Sequence, residues 1–247
     1  MVGTRDGTLS ANVARLYAGI DAPTFVVGYR EAEITKFVDN TFHALKVAFA
    51  NELGRICDAE GVSAAQVHEI FVADTKLNIS PYYLRPGGAF GGSCLPKDVR
   101  ALTYLSNEAG AQTFVVDAIM RSNEAHKLFI FERSINGLAP GAKVLLNGLA
   151  FKKNSDDLRE SPNVDLARRL LNAGYDLKIW DPQIKPDALT GQNLGYSFAH
   201  LPEMDSVMVW DKAELASAGF ARVIDARGNA ADLGLDDVDT LKVHDFH

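Results

Sequence analysis

The apolar residues of this chain change period at Gly137 to Gly141, and that change constrains its fold more than any other feature. Beyond it, strand-length and helix-length runs alternate. Lys143-Val144-Leu145-Leu146-Asn147-Gly148 has the continuous apolar character of a buried strand, residues 161–173 carry helical spacing, and residues 175–180 form a second strand closed by Asp181-Pro182. Residues 206–210 and 222–225 read as further strands. Strand–helix–strand alternation over about a hundred residues predicts α/β architecture with a doubly wound parallel sheet. Ligands of such sheets sit at the carboxyl ends of the strands.

Before the change the period is helical. Ile34, Phe37, Val38, Leu45, Phe49, Leu53 and Ile56 recur at three- and four-residue steps, which predicts a long amphipathic helix from Glu31 to near Gly61. Ser63-Ala64-Ala65-Gln66 is a capping box opening a second helix toward Asp74. A Gly- and Tyr-rich loop follows over 76–95, Pro96 fits the first turn of a third helix reaching Gly110, and 113–135 reads as a fourth. In front of these, 8–17 reads as a helix and 23–27 as a strand, too little for a domain. The expected organisation is a short segment 1–28, a helical domain 29–136 and a sheet domain 137–247.

Apolar residues make up 47% of the 247, enough for a core. The balance of 25 basic against 32 acidic residues, a net charge of -7, argues against nucleic acid or a membrane surface as partner, since both call for a basic face. No apolar run approaches the roughly 18 residues of a membrane span. Met1-Val2-Gly3-Thr4-Arg5-Asp6 lacks the basic-then-apolar order of an export signal, so a cytoplasmic setting and two free thiols, Cys57 and Cys94, are expected. Cys57, His68 and His126 read as structural or surface residues. The stretches around Asp225 and His244 show no metal-ligand spacing, and no metal is expected.

Four stretches carry chemistry. In Gly91-Gly92-Ser93-Cys94-Leu95-Pro96-Lys97-Asp98, two glycines allow close approach of a ligand to the backbone. Pro96 places Cys94 at a helix start, where the helix dipole and Lys97 favour a thiolate. Asp98, in the first turn, is near enough to accept a proton. On the long helix, Lys36, Asn40 and His43 share one face by spacing, either a solvated polar stripe or a seat for an oxyanion and sugar hydroxyls. Residues 148–162 follow a strand and open a helix. Gly148 permits a tight turn, and Lys152 and Arg159 supply charge for a phosphate, although an ordinary charged loop has the same look. No G-x-G-x-x-G is present. Tyr82, Arg85 and Phe90, in the glycine-rich loop, suit base and sugar recognition or a packed connection.

These residues resemble the UDP-glucose/GDP-mannose dehydrogenase family over the length of the chain. The carrying motifs are Glu33-Ile34-Thr35-Lys36-Phe37-Val38-Asp39-Asn40, Lys46-Val47-Ala48-Phe49-Ala50-Asn51-Glu52, the cysteine octapeptide, and the stretch from Phe151-Lys152 through Pro162. His43 and the loop from Tyr82 to Pro86 look most like the GDP-mannose-oxidising branch, while Gly88 stands where that branch suggests a bulky aromatic. The resemblance implies an NAD-binding Rossmann domain, a central helical dimerisation domain, and a C-terminal Rossmann-like domain that binds the nucleotide sugar. Residues 1–28 then correspond to the last helix and strand of the first, whose glycine-rich fingerprint these 247 residues lack.

It also implies two NAD-dependent oxidations at C6 of GDP-mannose or UDP-glucose, through a thiohemiacetal and a thioester on Cys94, in the synthesis of polysaccharide precursors. By resemblance Lys36 and Asn40 support the oxyanion and Asp98 orients the base or water. His43, Tyr82, Arg85, Phe90, Gly91 and Lys152 contact the substrate, with Arg85 acting across a dimer interface. Arg159 reaches toward the cofactor. The expectation is a homodimer through the long helix that binds nucleotide sugar without turnover on its own. The alternative is a non-catalytic nucleotide-sugar-binding and dimerisation module.

Overall fold

The structure is a computed structural model. It describes residues 1–80, 87–185 and 188–244, apart from the side chains of 36–41, 43, 44, 47, 48 and 51. It opens with two short parallel strands, β1 (Val2–Thr4) and β2 (Val26–Gly28), joined by α1 (Ala11–Leu16). The sequence reading had no β1, because three residues are too few to show a period of two. Such a two-stranded sheet is marginal by itself. It leans on the next helix: a Cβ at Gly3 would lie 3.0 Å from that of Ala32.

Four helices follow. The first, α2 (Tyr29–Ala59), has 31 residues and so runs about 46 Å. In α3 (Ala64–Ala73), the Ser63 hydroxyl accepts from the Gln66 amide at 3.3 Å, the cap its sequence calls for. Cys94 is the N-cap of α4 (Leu95–Glu108), with Pro96 in the first turn. The start of α5 (Phe114–Ile135) is capped from outside: Thr113 makes no side-chain cap bond. Instead the buried Glu52 carboxylate of α2 accepts from the Val115 and Val116 amides at 2.7 and 2.9 Å. A carboxylate there satisfies two orphan donors and complements the helix dipole.

After residue 141 the predicted parallel sheet appears. Strands β3 (Lys143–Asn147), β4 (Asp176–Trp180), β5 (Arg222–Asp225) and β6 (Thr240–Lys242) are all parallel, in the order β4-β3-β5-β6. Helix α6 (Pro162–Asn172) links β3 to β4, and α7 (Gly191–His200) and α8 (Met204–Val207) lie between β4 and β5. Val144, Leu145 and Leu146 are all fully buried, as befits a sheet covered on both faces. Val144 and Leu146 pack with Leu177, Ile179, Leu166 and Leu170, and Ile130 of α5 reaches the same cluster. Leu145 and Val223 face the other way, against Leu215, Phe220 and Leu233.

The strand expected over 206–210 is corrected. Residues 204–207 form the single turn of α8, and only Met208 bridges to Ile179. The chain meets the sheet edge there for one residue before Asp211 caps a 3-10 turn through the Ala213 amide.

The core is uneven. Among the described residues, nearly all of it lies in the sheet half, whereas α1 and α3 bury no residue. Among the described residues, the exposed large hydrophobic side chains run from Met1 to Phe129, with only Phe198 and Trp210 beyond. The accessible surface is 15495 Å², against about 10,800 Å² for a folded monomer of this mass. Among the described residues no helix is long and apolar enough to cross a membrane.

Candidate functional site

The chain passes from β3 to β4 on one side and returns to β5 on the other, so the sheet switches direction between β3 and β5. Their carboxyl ends meet in a polar cluster. Asp181, 2% exposed, accepts from the Leu149 and Ala150 amides at 2.9 and 3.1 Å and from Arg227 at 2.6 Å. Asp225 accepts from Asn147 and from the Gly228 and Ala230 amides. The first amides of the turn after β3 are therefore occupied by the protein's own carboxylate. Gly148 sits at φ 105, and a Cβ there would come within 2.5 Å of Arg227 Cγ, so both conformation and space require glycine.

Beside this cluster lies a cavity of about 430 Å³, in the range of small-molecule sites. Lys127, Lys152, Lys153, Arg227 and His244 line it, and among the described residues no carboxylate does. In a chain of net charge -7 this is a local concentration of positive charge suited to an anion.

The cysteine loop is built against the same turn. Buried Asn123 of α5 clasps Phe90 on both sides: its Oδ1 accepts from the Phe90 amide at 3.0 Å, and its Nδ2 donates to the Phe90 carbonyl at 2.9 Å. His126 donates to the Gly87 carbonyl at 2.7 Å. His244 Nδ1 accepts from the Gly88 amide at 3.0 Å while its Nε2 donates to the Ala226 carbonyl at 2.9 Å. A Cβ at Gly88 would strike that ring at 2.7 Å, so His244 fills the space a larger residue would need.

Gly91 and Gly92 serve close approach by the chain itself. A Cβ at Gly91 would meet the Glu160 carbonyl at 2.2 Å and Pro162 at 2.6 Å. One at Gly92, φ 85, would meet the Phe151 ring at 2.8 Å. Phe151 in turn lies under the Lys152 ammonium, 5.1 Å from ring centroid to Nζ. The loop that carries Cys94 and the turn that lines the cavity are thus packed as one unit.

At its tip Cys94 is exposed, with its Sγ 3.8 Å from the Ser93 hydroxyl. Asp98 and Lys97 pair at 3.3 Å, both well exposed. Arg159 is held by Asp157 in a two-point fork, both bonds 2.8 Å. That hydrogen bonding holds the Asp157 carboxyl below its usual range despite burial, and raises Arg159. A negative charge on Cys94 adds to the rise at Arg159, which places the guanidinium within electrostatic reach of the thiol.

Of the residues singled out in the sequence, Phe90, Gly91, Cys94, Asp98, Lys152 and Arg159 fall on this loop, its helix and the facing turn. Lys36, Asn40 and His43 lie in α2, with the side chains of all three outside the described residues, and Tyr82 and Arg85 lie outside altogether. Sequence reasoning missed Asp181, Asp225, Arg227, Asn123, His126 and His244 as organisers of the site. Two carried a signal: Asp181 and Asp225 each close a strand, the position where a carboxylate can gather the amides of the following turn. The histidines and Asn123 carried none, because nothing local says which loop they will hold.

The chain is similar to known proteins over most of its length. Residues 30–125 match the central domain of the UDP-glucose/GDP-mannose dehydrogenase family, and residues 145–224 match its UDP binding domain. A GDP-mannose 6-dehydrogenase of Pseudomonas aeruginosa is 39% identical over 238 residues, 96% of this chain and 53% of the relative. A UDP-glucose 6-dehydrogenase of Bacillus subtilis is 28% identical, over 85% of this chain and 46% of its own length. The crystal structure of a ternary complex of GDP-mannose dehydrogenase from Pseudomonas aeruginosa superposes with a TM-score of 0.80 at 38% identity, covering 92% of this chain and 53% of that one. A UDP-glucose dehydrogenase from Pyrobaculum islandicum gives 0.55 at 32% identity, covering 95% and 52%. The chain spans about half the length of the curated relatives it matches. It belongs to the UDP-glucose/GDP-mannose dehydrogenase family, of which it carries the central and UDP-binding domains.

Proposed function

We propose that this chain holds a nucleotide sugar, GDP-mannose in preference to UDP-glucose, against the Cys94 thiol, and carries the covalent steps of a nucleotide-sugar 6-dehydrogenase. The observation that carries this is the seating of the Cys94 loop on the turn that lines the cationic cavity, through Gly92 on Phe151 and Phe151 under Lys152. The preference for GDP-mannose follows the relatives near 40% identity that bear that name.

In this reading the thiol adds across the C6 aldehyde. A carbon–sulfur bond forms, the carbonyl π bond opens, and its oxygen takes the proton to give a thiohemiacetal. At the thioester stage, water attacks, the carbon–sulfur bond breaks and Cys94 regains its proton as the acid leaves. Lys36 and Asn40 support the oxygen, and Asp98 orients the water. His43, Tyr82, Arg85, Phe90, Gly91 and Lys152 hold the substrate, and Arg159 stands on the cofactor side. We place the divisions at residues 28 and 136.

The oxidations flanking these steps need a hydride acceptor, which the family resemblance supplies as NAD. The described residues do not fit a dinucleotide. The turn from β1 toward α1 has no glycine fingerprint, and its Gly7 and Thr8 amides are bonded to Thr4 and Asp6 side chains. We therefore assign no step through NAD to them, and the 247 residues alone are expected not to turn over.

The test is the rate at which iodoacetamide labels Cys94 in the presence of the 6-aldehyde of GDP-mannose. Saturable protection beyond that given by GDP-mannose itself is expected, and equal protection by the two would refute covalent addition. The second reading is a nucleotide-sugar-binding and dimerisation module without catalysis. Equal protection is the outcome that reading requires.

The partner we propose is a second copy. Phe42, Leu45, Phe49, Leu53, Phe71 and Ile119 line an apolar groove of about 760 Å³ among α2, α3 and α5. Leu45 on this groove and Ile34, Ile70 and Phe114 on the same helices are exposed large hydrophobic residues, which a second copy would cover.

A further inference from the structure

We infer that Glu160 is a positioning residue for Cys94: it ties the start of the thiol-bearing helix to the turn that lines the cavity. Three observations meet at this residue. Its backbone lies at φ 53, a left-handed conformation that a side chain disfavours and that persists only where surroundings enforce it. That conformation sets its carbonyl against Gly91, where a Cβ would come within 2.2 Å. Its carboxylate accepts from Arg100 on α4 at 2.8 Å, 60 residues away in sequence.

Gly91 precedes Cys94 by three residues and Arg100 follows it by six, so Glu160 grips the segment carrying the thiol from both sides. Tyr196 of α7 stands close by: burial first, and then the Glu160 charge, push its hydroxyl up to about 12. The Glu160 side chain is 35% exposed, so its strength lies in geometry more than in charge. The inference rests on the reading of Cys94 as the nucleophile. It adds that the orientation of the thiol is set from the C-terminal half of the chain.

The test is the iodoacetamide labelling rate of Cys94 in the ligand-free full chain, followed by peptide mass, with buried Cys57 as the internal report of an intact fold. Glu160→Gln and Arg100→Gln should each change the rate about two- to fivefold in the same direction, the range open to an ion pair this exposed. The double variant should change it no further. The swapped pair, Arg100→Glu with Glu160→Arg, should return it toward wild type. GDP-mannose affinity, by calorimetry, should move far less.

An unchanged rate in Glu160→Gln with Cys57 protected overturns the inference. If Cys57 labels in that variant, the swapped pair decides, and failure to restore the rate with Cys57 protected overturns it equally. Wild-type protein that binds no GDP-mannose yet shows these rate changes would remove the ligand reading and leave the positioning role standing. Normal GDP-mannose binding without rate changes would do the reverse.

Discussion

The two halves of this chain solve the burial problem differently. The sheet half is closed: β3 is covered on both faces, and its strand-end carboxylates are bonded to amides and to Arg227. The helical half is open, with its long helix lying along an apolar groove and many of its described large hydrophobic side chains exposed. An apolar helix face needs cover, from its own chain or from a partner. The difference teaches that the sheet half can be stable from its own contacts, whereas the helical half presents the surface that the proposed second copy would cover.

The sharpest way to break this comparison is to truncate one leucine in each half. Leu146→Ala, in the fully buried strand, should lose about 2–5 kcal/mol in urea unfolding. Leu45→Ala, on the exposed groove, should lose less than about 0.5 kcal/mol in the dilute monomer. Equal losses would end the distinction. Next in size is Phe49→Asp. A charge in the groove should weaken self-association by about 2 kcal/mol or more, seen as monomer by light scattering at concentrations where wild type is dimeric. A wild-type chain that stays monomeric at high concentration would remove the second copy from the picture.

Glu52 is an internal anchor of the open half. Glu52→Gln should cost about 1–3 kcal/mol by weakening the bonds to the Val115 and Val116 amides. Hydrogen exchange should rise at the start of α5 and not in β3. The smallest effect expected is at Asp157. Arg159 holds its carboxyl below the ordinary 3.8. Its stabilising contribution is therefore full above that pH and is lost as pH falls through the lowered folded value. Asp157→Asn should flatten that acid limb of the stability curve by about 0–1 kcal/mol, as suits a pair this exposed.

How much of this was legible in the sequence follows the same divide. The helices of the first half announced themselves by periodicity, and β3, α6, β4 and β5 by alternation, because each repeats its pattern over enough residues. β1, β6 and α8 did not, being three or four residues long and held by neighbours rather than by propensity. The cysteine octapeptide stood out in the sequence as a loop opening a helix, yet its glycines were read as room for a ligand. The structure gives that room to Glu160, Pro162 and Phe151. Arg159 read as charge for a phosphate or cofactor, and its fork with Asp157 had no sign in the sequence. Long-range partners such as Asn123 for Phe90 and His244 for Gly88 leave no local trace, since 33 and 156 residues separate them.

The most direct test of the central claim, that the Cys94 loop and the cationic cavity form one nucleotide-sugar site, is a calorimetric titration of GDP-mannose into the 247-residue chain and its Lys152→Ala/Lys153→Ala variant. Saturable binding of one molecule per chain, weakened about tenfold or more in the variant as expected for lost charged contacts, is the predicted result. No saturable heat, or the same affinity in both proteins, would contradict it.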